Sequence, residues 1–217
     1  MNILAISDIE LPKMQSLPYL RRTYDEDVHL VVSCGDLSAA YIEFITSVLN
    51  TPLFYVRGNH DESYIERPPG GDDLHRRVVH YRGLWFAGLE GSLRYNRGHI
   101  QYTEAEMLMN VLGLAPGMLL RRALWGTGVD VMVTHAPPRG IHDRQDRPHR
   151  GFRSFRLLIR LFRPRYLLHG HIDIWDRRDV TQTEYLGTQV ININPVHLLT
   201  VDVPQRRLFR RSRHARS

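Results

Sequence analysis

Short apolar runs rich in β-branched residues recur along the chain and alternate with polar stretches. Runs of this kind are typical of buried β-strands. They predict strands at residues 2–6, 30–33, 53–56, 84–89, 129–133, 166–168, 190–193 and 198–203. Between several of these strands, apolar residues recur at helical spacing. This second pattern predicts helices at 40–49, 103–112 and 152–162.

The order of these elements predicts the fold class. Strand and helix alternate early in the chain, and closely spaced strands follow late. This order favours an α/β fold in which two mixed β-sheets pack together with helices outside, as a four-layer αββα sandwich. The chain has 217 residues, of which 42% are hydrophobic, and it contains no repeat or long linker. We therefore predict one domain over residues 1–204, followed by a short tail at 205–217.

The tail carries much of the positive charge of the protein. The formal net charge is +6, and residues 205–217 contain six arginines and no acidic residue. The remainder of the chain is therefore close to neutral. Such a segment is typical of a flexible, solvated end, although it can also attract nucleic acid. Both interpretations stay open, with the solvated end favoured.

Other features of the composition bear on the compartment. The chain has no apolar stretch of eighteen residues and no basic leader followed by a cleavage site, which predicts a cytoplasmic protein without membrane insertion. Its single cysteine, Cys34, has no partner for an internal disulfide and fits a reducing environment. The oligomeric state does not follow from the sequence.

Polar side chains suited to metal binding follow five of the predicted strands directly. They are Asp8, Asp36, the group Asn59, His60 and Asp61, then His135, and finally His169, His171 and Asp173. Because the carboxyl ends of strands in an α/β sheet converge on one crevice, we expect these side chains to share a site. Carboxylate and imidazole ligands without thiolates suit Mn, Fe, Zn or similar divalent ions. A carboxylate such as Asp36 can bridge two of them.

These residues form a series of motifs that resembles a known family. The motifs are Asp-x-Glu at 8–10, Gly-Asp at 35–36, Gly-Asn-His-Asp at 58–61, a histidine after a strand at 135, and Gly-His-x-Asp at 170–173. In this order they are similar to the signature of the calcineurin-like metallophosphoesterases, in particular the small bacterial phosphoesterases. The motifs span most of the chain. The glutamate at position 10 and the aspartate at position 173 stand where the family has histidine.

The resemblance implies a dinuclear, metal-dependent hydrolase that cleaves phosphodiester or phosphomonoester bonds with a metal-bridging hydroxide. One ion would be held by Asp36, Asn59, His135 and His171. The other ion would be held by Asp8, Asp36, Glu10 and Asp173. Since two carboxylates replace imidazoles at the second position, Mn or Fe is the preferred metal, while Zn, Ni or Mg remain compatible.

The resemblance also suggests roles for residues that do not bind metal. His60 would assist the reaction by protonating the leaving oxygen, and Arg150 and His149 lie in a segment that resembles a substrate-side loop. A solvated loop is an equally good interpretation of that segment. The expected substrate is a small phosphorylated molecule or a nucleotide.

Two alternative functions stay open at this point. The first is a nuclease or RNA-processing phosphoesterase that uses the arginine-rich tail to bind nucleic acid. The second is a degenerate family member that binds a phosphorylated ligand without turnover, which the residues at positions 10 and 173 would explain. His169 is expected to have a structural role.

Overall fold

The computed structural model describes residues 1–24, 27–125, 128–174, 176 and 178–204. Its centre contains two large β-sheets. The first sheet has the strand order β13 (Val196–Thr200), β1 (Asn2–Ile6), β2 (Leu30–Ser33), β3 (Leu53–Tyr55) and β4 (Asp72–Asp73). Strands β1 to β4 are parallel, and β13 runs antiparallel to β1.

The second sheet has four parallel strands at its centre and an antiparallel strand at each edge. Its order is β11 (Gln182–Tyr185), β12 (Thr188–Asn192), β10 (Tyr166–His169), β9 (Val131–Thr134), β6 (Leu84–Leu89) and β5 (Val78–Tyr81). Two short strands, β7 (Ser92–Leu93) and β8 (Gln101–Tyr102), form a separate pair.

The two sheets pack face to face, and helices cover their outer faces. Helices α1 (Leu17–Tyr24) and α2 (Ala39–Leu49) cover the first sheet, and α3 (Glu104–Trp125) and α4 (Arg153–Phe162) cover the second. In β1, Ile3 and Ala5 face the other sheet, whereas Leu4 and Ile6 face the helices, as the two-residue period of a strand requires. The predicted four-layer αββα sandwich is confirmed.

Some elements differ from the prediction. Helix α3 runs to Trp125, although we predicted its end at residue 112. The prediction stopped there because Gly113, Pro116 and Gly117 are poor helix formers. In the structure, Met107, Val111, Leu114 and Met118 continue one buried face through this segment, and their packing on the second sheet outweighs the local preference. The sequence pattern does not predict helix α1 or the strands β4, β5, β7, β8 and β11.

The loops that follow β1, β2 and β3 leave the first sheet at its carboxyl edge, and those after β9 and β10 leave the second sheet at the same end. Backbone hydrogen bonds join these loops directly: Asp8 N donates to Gly35 O at 3.1 Å, and Gly170 N donates to His135 O at 3.0 Å. All five motif segments therefore meet at one end of the molecule.

Two expectations made from composition concern other parts of the chain. The arginine-rich tail, residues 205–217, lies outside the described residues. Among the helices that the structure describes, none has both the length and the apolar character needed to cross a lipid bilayer.

Candidate metal centre

Three of the predicted ligands form a tight cluster. One ligand atom each from Asp36, His135 and His171 lies within 4.8 Å of the others. His135 Nε2 is 3.4 Å from Asp36 Oδ2 and 3.0 Å from Asn59 Oδ1. The four side chains come from the loops after β2, β3, β9 and β10, so the structure assembles the first predicted metal position from both sheets.

The hydrogen-bond partners of His135 determine which of its ring nitrogens carries a hydrogen. Its Nδ1 lies 2.8 Å from the carbonyl oxygen of Cys34, an acceptor, so Nδ1 carries a hydrogen. Nε2 then points at two further acceptors, the oxygens of Asp36 and Asn59. Burial alone would lower the pKa of this imidazole, but the Asp36 carboxylate outweighs it and raises the pKa to about 9. A positive charge is required at Nε2, and a proton or a divalent cation can supply it.

Asp36 is held by groups on both sides of the cluster. Burial would raise the pKa of its carboxyl group, but His135 and the backbone N–H of His60 stabilise the carboxylate and lower the pKa to about 2. The His60 N–H donates to Asp36 Oδ1 at 2.8 Å. Asp36 is therefore ionised at neutral pH, as a carboxylate that binds a metal must be.

Asp61 stabilises this part of the site through hydrogen bonds to the backbone. Its Oδ2 accepts hydrogen bonds from the backbone N–H of Asp36 at 2.8 Å and of Gly58 at 2.7 Å. Burial, with the charge of Asp36 adding to it, raises the pKa of Asp61 to about 6. The carboxylate thus fixes the two glycine-containing turns to each other, and it does not orient the His60 ring.

The ligand turns adopt an unusual backbone conformation. Asp8, Asp36 and His171 have φ angles of 63°, 58° and 69°, in the left-handed region that non-glycine residues rarely occupy. Such strain costs on the order of 1–3 kcal/mol per residue and persists where the surroundings enforce it. Gly58 makes room for one of these turns, since a Cβ there would lie 2.5 Å from Asp36 Cγ. Three strained ligand residues in one place indicate a functional site.

Asp8 and His171 connect the end of β1 with the end of β10. The His171 backbone N–H donates to both carboxylate oxygens of Asp8, at 3.0 and 2.9 Å. His171 Nε2 donates to Pro148 O at 2.8 Å, which leaves Nδ1 as its unprotonated nitrogen. Burial lowers the pKa of His171 to about 3 and raises that of Asp8 to about 6. His171 is therefore neutral, as a ligand must be.

A pocket of about 420 Å³ opens over the cluster. Its walls include most of the predicted site residues, namely Asp8, Asp36, Asn59, His60, His149, His171 and Asp173. Asp173 lies at one side, where its Oδ1 accepts a hydrogen bond from Asn194 Nδ2 at 3.0 Å. His149 lies beside His171, with 5.3 Å between ring centroids.

Two predicted residues lie elsewhere. Glu10 is exposed and is absent from the pocket wall, and its Oε1 accepts a hydrogen bond from the Ser38 N–H, at the start of α2, at 2.8 Å. Arg150 donates to Gln145 O at 2.7 Å and lines a separate cavity with Glu104 and Arg153. The predicted roles of both residues follow from the resemblance alone. The packing of their loops directs both side chains away from the metal cluster.

His169 has the structural surroundings expected of it. Its Nδ1 lies 2.9 Å from Gly170 O and must donate, so its Nε2 accepts from His142 Nδ1 at 2.9 Å. The next contact, from Thr183 Oγ1 to His142 Nε2 at 2.9 Å, follows the same direction. This chain anchors the turn that precedes His171. His142 and Asn194 gave no signal in the sequence because the fold alone brings them here.

Comparison with known proteins agrees with the geometry. The model of the calcineurin-like phosphoesterase family matches residues 1–173. The chain belongs to this family. A search of curated proteins finds no significant match.

Solved structures with the same fold include two named relatives. The protein TT1561 of Thermus thermophilus superposes with a TM-score of 0.61 at 15% sequence identity, over 94% of this chain and 99% of that chain. GAP50, the anchor in the inner membrane complex of Plasmodium, has a TM-score of 0.51 at 13% identity, over 88% of this chain and 70% of that chain. At these identities the likeness concerns the fold. The calcineurin-like phosphoesterases are generally metal-dependent hydrolases, and this chain has a metal-binding cluster of the kind they need.

Proposed function

We propose that the protein is a metal-dependent phosphoesterase that hydrolyses phosphodiester or phosphomonoester bonds of small molecules or nucleotides. The observation that carries this proposal is the convergence of His135 Nε2 with oxygens of Asp36 and Asn59 in a buried cluster. With Nε2 unprotonated, these three groups all present electron pairs to one another, an arrangement that a cation between them would stabilise. Membership of the phosphoesterase family supplies the reaction class.

Two divalent ions, Mn or Fe, are the proposed cofactors. Asp36, Asn59, His135 and His171 would hold the first ion, and Asp8, Asp36 and Asp173 would hold the second. When bound, such ions activate water and neutralise charge on the phosphate oxygens. Because Glu10 is turned toward α2, the second position has fewer ligands from this chain than the first, and we expect it to bind more weakly.

His60 is the proposed catalytic residue. It lies on the wall of the pocket, and its backbone N–H is fixed by Asp36 Oδ1. The imidazole is exposed to the pocket, where it can give a proton to the leaving oxygen of a bound ester. His149, on the opposite side near His171, is positioned to contact the substrate phosphate.

The experiment uses the purified protein with Mn²⁺ and chromogenic aryl phosphate mono- and diesters. We expect turnover that is lost on chelation, on Asp36→Asn and on His135→Ala, while Asp72→Asn, a half-exposed carboxylate remote from the site, keeps it. His60→Gln should lower kcat by about 100-fold without changing Mn²⁺ affinity. The proposal is overturned if no ester is cleaved with Mn, Fe, Co, Ni or Zn.

A further inference from the structure

Tyr95 contacts Asn59, one of the proposed metal ligands. The sequence motifs identify Asn59 but do not explain how its side chain is oriented. Asn59 Nδ2 donates a hydrogen bond to the Tyr95 hydroxyl at 3.3 Å, and the Asn59 side chain is buried. The oxygen and the amino group of an amide point in different directions. A partner for the amino group therefore fixes Oδ1 toward His135, where a cation would bind.

The loop that carries Tyr95 is built to hold it in place. Gln101, which is only 3% exposed, accepts hydrogen bonds through Oε1 from the N–H groups of Tyr95 and Asn96, at 3.1 and 3.2 Å. Its Nε2 donates to Asn96 Oδ1 at 2.6 Å. One buried amide thus fixes the start of the loop, and the Tyr95 ring needs no rearrangement to reach Asn59.

Tyr95 also separates the metal pocket from a second cavity. This cavity has a volume of about 580 Å³ and shares Asn59, His60 and Tyr95 with the metal pocket. Its remaining walls are Glu62, Asn96, Arg97, Gly98, His99 and Gln101. Since the cavity begins at the proposed proton donor, His60, it lies on the side of the phosphate from which the leaving group departs.

The walls of this second cavity favour one kind of leaving group. The lining residues comprise aromatic and imidazole rings, amides, a guanidinium and a carboxylate, with no aliphatic side chain among them. An acyl or alkyl group would gain little from such a surface. Rings for stacking beside hydrogen-bonding groups are what proteins use to bind nucleobases and ribose.

We propose that Tyr95 has two roles: it positions Asn59 for metal binding, and its ring forms the entrance to a subsite for a nucleoside leaving group. The second role rests on the proposed phosphoesterase function. Hydrolysis of such a diester consumes one water: phosphorus gains the water oxygen as its bond to the nucleoside oxygen breaks. The nucleoside leaves as its alcohol after taking one proton, which His60 delivers.

Two variants of Tyr95 separate the roles. Tyr95→Phe removes the hydroxyl and keeps the ring, whereas Tyr95→Leu removes both. Calorimetric titration with Mn²⁺ should show an affinity lowered about tenfold in both variants, as is usual when the partner of a metal ligand is removed. Tyr166→Phe, a half-buried tyrosine at the far end of β10, is the control and should bind Mn²⁺ like the wild type. Unchanged affinity in Tyr95→Phe overturns the positioning role.

The subsite is tested with two diesters that differ only in the leaving alcohol. When the product is thymidine 3′-phosphate, thymidylyl-(3′→5′)-thymidine has released a nucleoside and thymidine 3′-methyl phosphate has released methanol. The rate of thymidine 3′-phosphate formation is therefore the quantity measured. At saturating Mn²⁺, the wild type and Tyr95→Phe should prefer the dinucleotide by at least about tenfold in kcat/KM, and Tyr95→Leu should lose most of this preference. Equal rates for both esters in the wild type overturn the subsite while leaving the phosphoesterase function intact. Absence of cleavage of every ester, by contrast, removes the proposed function itself.

Discussion

Gly58 is the position where a single methyl group should remove metal binding without unfolding the protein. A Cβ at residue 58 would lie 2.5 Å from Asp36 Cγ and 2.6 Å from the Asp36 backbone nitrogen. Asp36 Oδ1 would lie closer still, and ordinary contact begins at 3.4 Å, so the Asp36 carboxylate would have to move by more than about 0.9 Å. Metal–ligand distances tolerate only about 0.2 Å. Gly58→Ala should therefore lose this ligand, together with the hydrogen bond from the His60 N–H.

We expect the Mn²⁺ affinity of Gly58→Ala to fall by at least about 100-fold, equivalent to ~2.7 kcal/mol. Gly58 has no positive φ, so the substitution adds little strain at residue 58 itself. The contact with the Asp36 backbone nitrogen requires the neighbouring turn to shift, which at an overpacking cost of about 1–3 kcal/mol should lower the thermal midpoint without metal by about 2–12 °C. Calorimetric titration and circular dichroism give the two numbers. Gly70→Ala is the matched control, because a Cβ there meets no atom within 4 Å. Mn²⁺ binding within threefold of the wild type in Gly58→Ala would refute the geometric reasoning.

Three further predictions test other parts of the structure. Because the pKa of His135 is raised to about 9, a metal ion must displace the proton of this imidazole when it binds. Mn²⁺ affinity should therefore rise about tenfold per pH unit between pH 7 and 9. Calorimetric titrations in buffers of different ionisation enthalpy should show about one proton released, and the absence of proton release would contradict this prediction. Glu90→Gln leaves the Arg57 guanidinium without its buried carboxylate and should lower the free energy of unfolding in urea by about 3 kcal/mol; a loss below about 1 kcal/mol would disprove it. Metal analysis should show less bound Mn in Asp173→Asn and an unchanged amount in Glu10→Gln, and the opposite order would disprove the ligand assignment.

The cluster is predictable from sequence because each ligand directly follows a strand that pairs in parallel with its neighbours. Since parallel strands end at one edge, Asp36 follows β2 at the carboxyl edge of the first sheet, and His135 and His171 follow β9 and β10 at the carboxyl edge of the second. The order of strands and helices likewise predicts two packed sheets with helices outside. For these residues the local sequence pattern agrees with the global fold, so their positions can be predicted from the sequence.

The parts that sequence reasoning missed depend on packing between distant segments. Tyr95 reaches Asn59 across 36 positions, and Asn194 reaches Asp173 across 21, and neither Tyr95 nor Asn194 belongs to a motif. The resemblance of its segment to a substrate loop predicts Arg150 near the phosphate, but its Nη2 donates to Gln145 O and the residue lines a separate cavity. A flexible side chain at a loop position has several reachable partners, and the backbone course that selects one is set by tertiary contacts.

The geometry of the proposed metal site lowers the stability of this end of the molecule. Asp8, Asp36 and His171 hold strained backbone angles, and Asp8, Asp36 and Asp61 bring three carboxylates into a buried region whose nearest positive charge is the proton on His135. Backbone N–H groups donate to all three carboxylates and offset part of these costs. The surrounding strands enforce the arrangement, and a divalent cation is the ligand that it best accommodates.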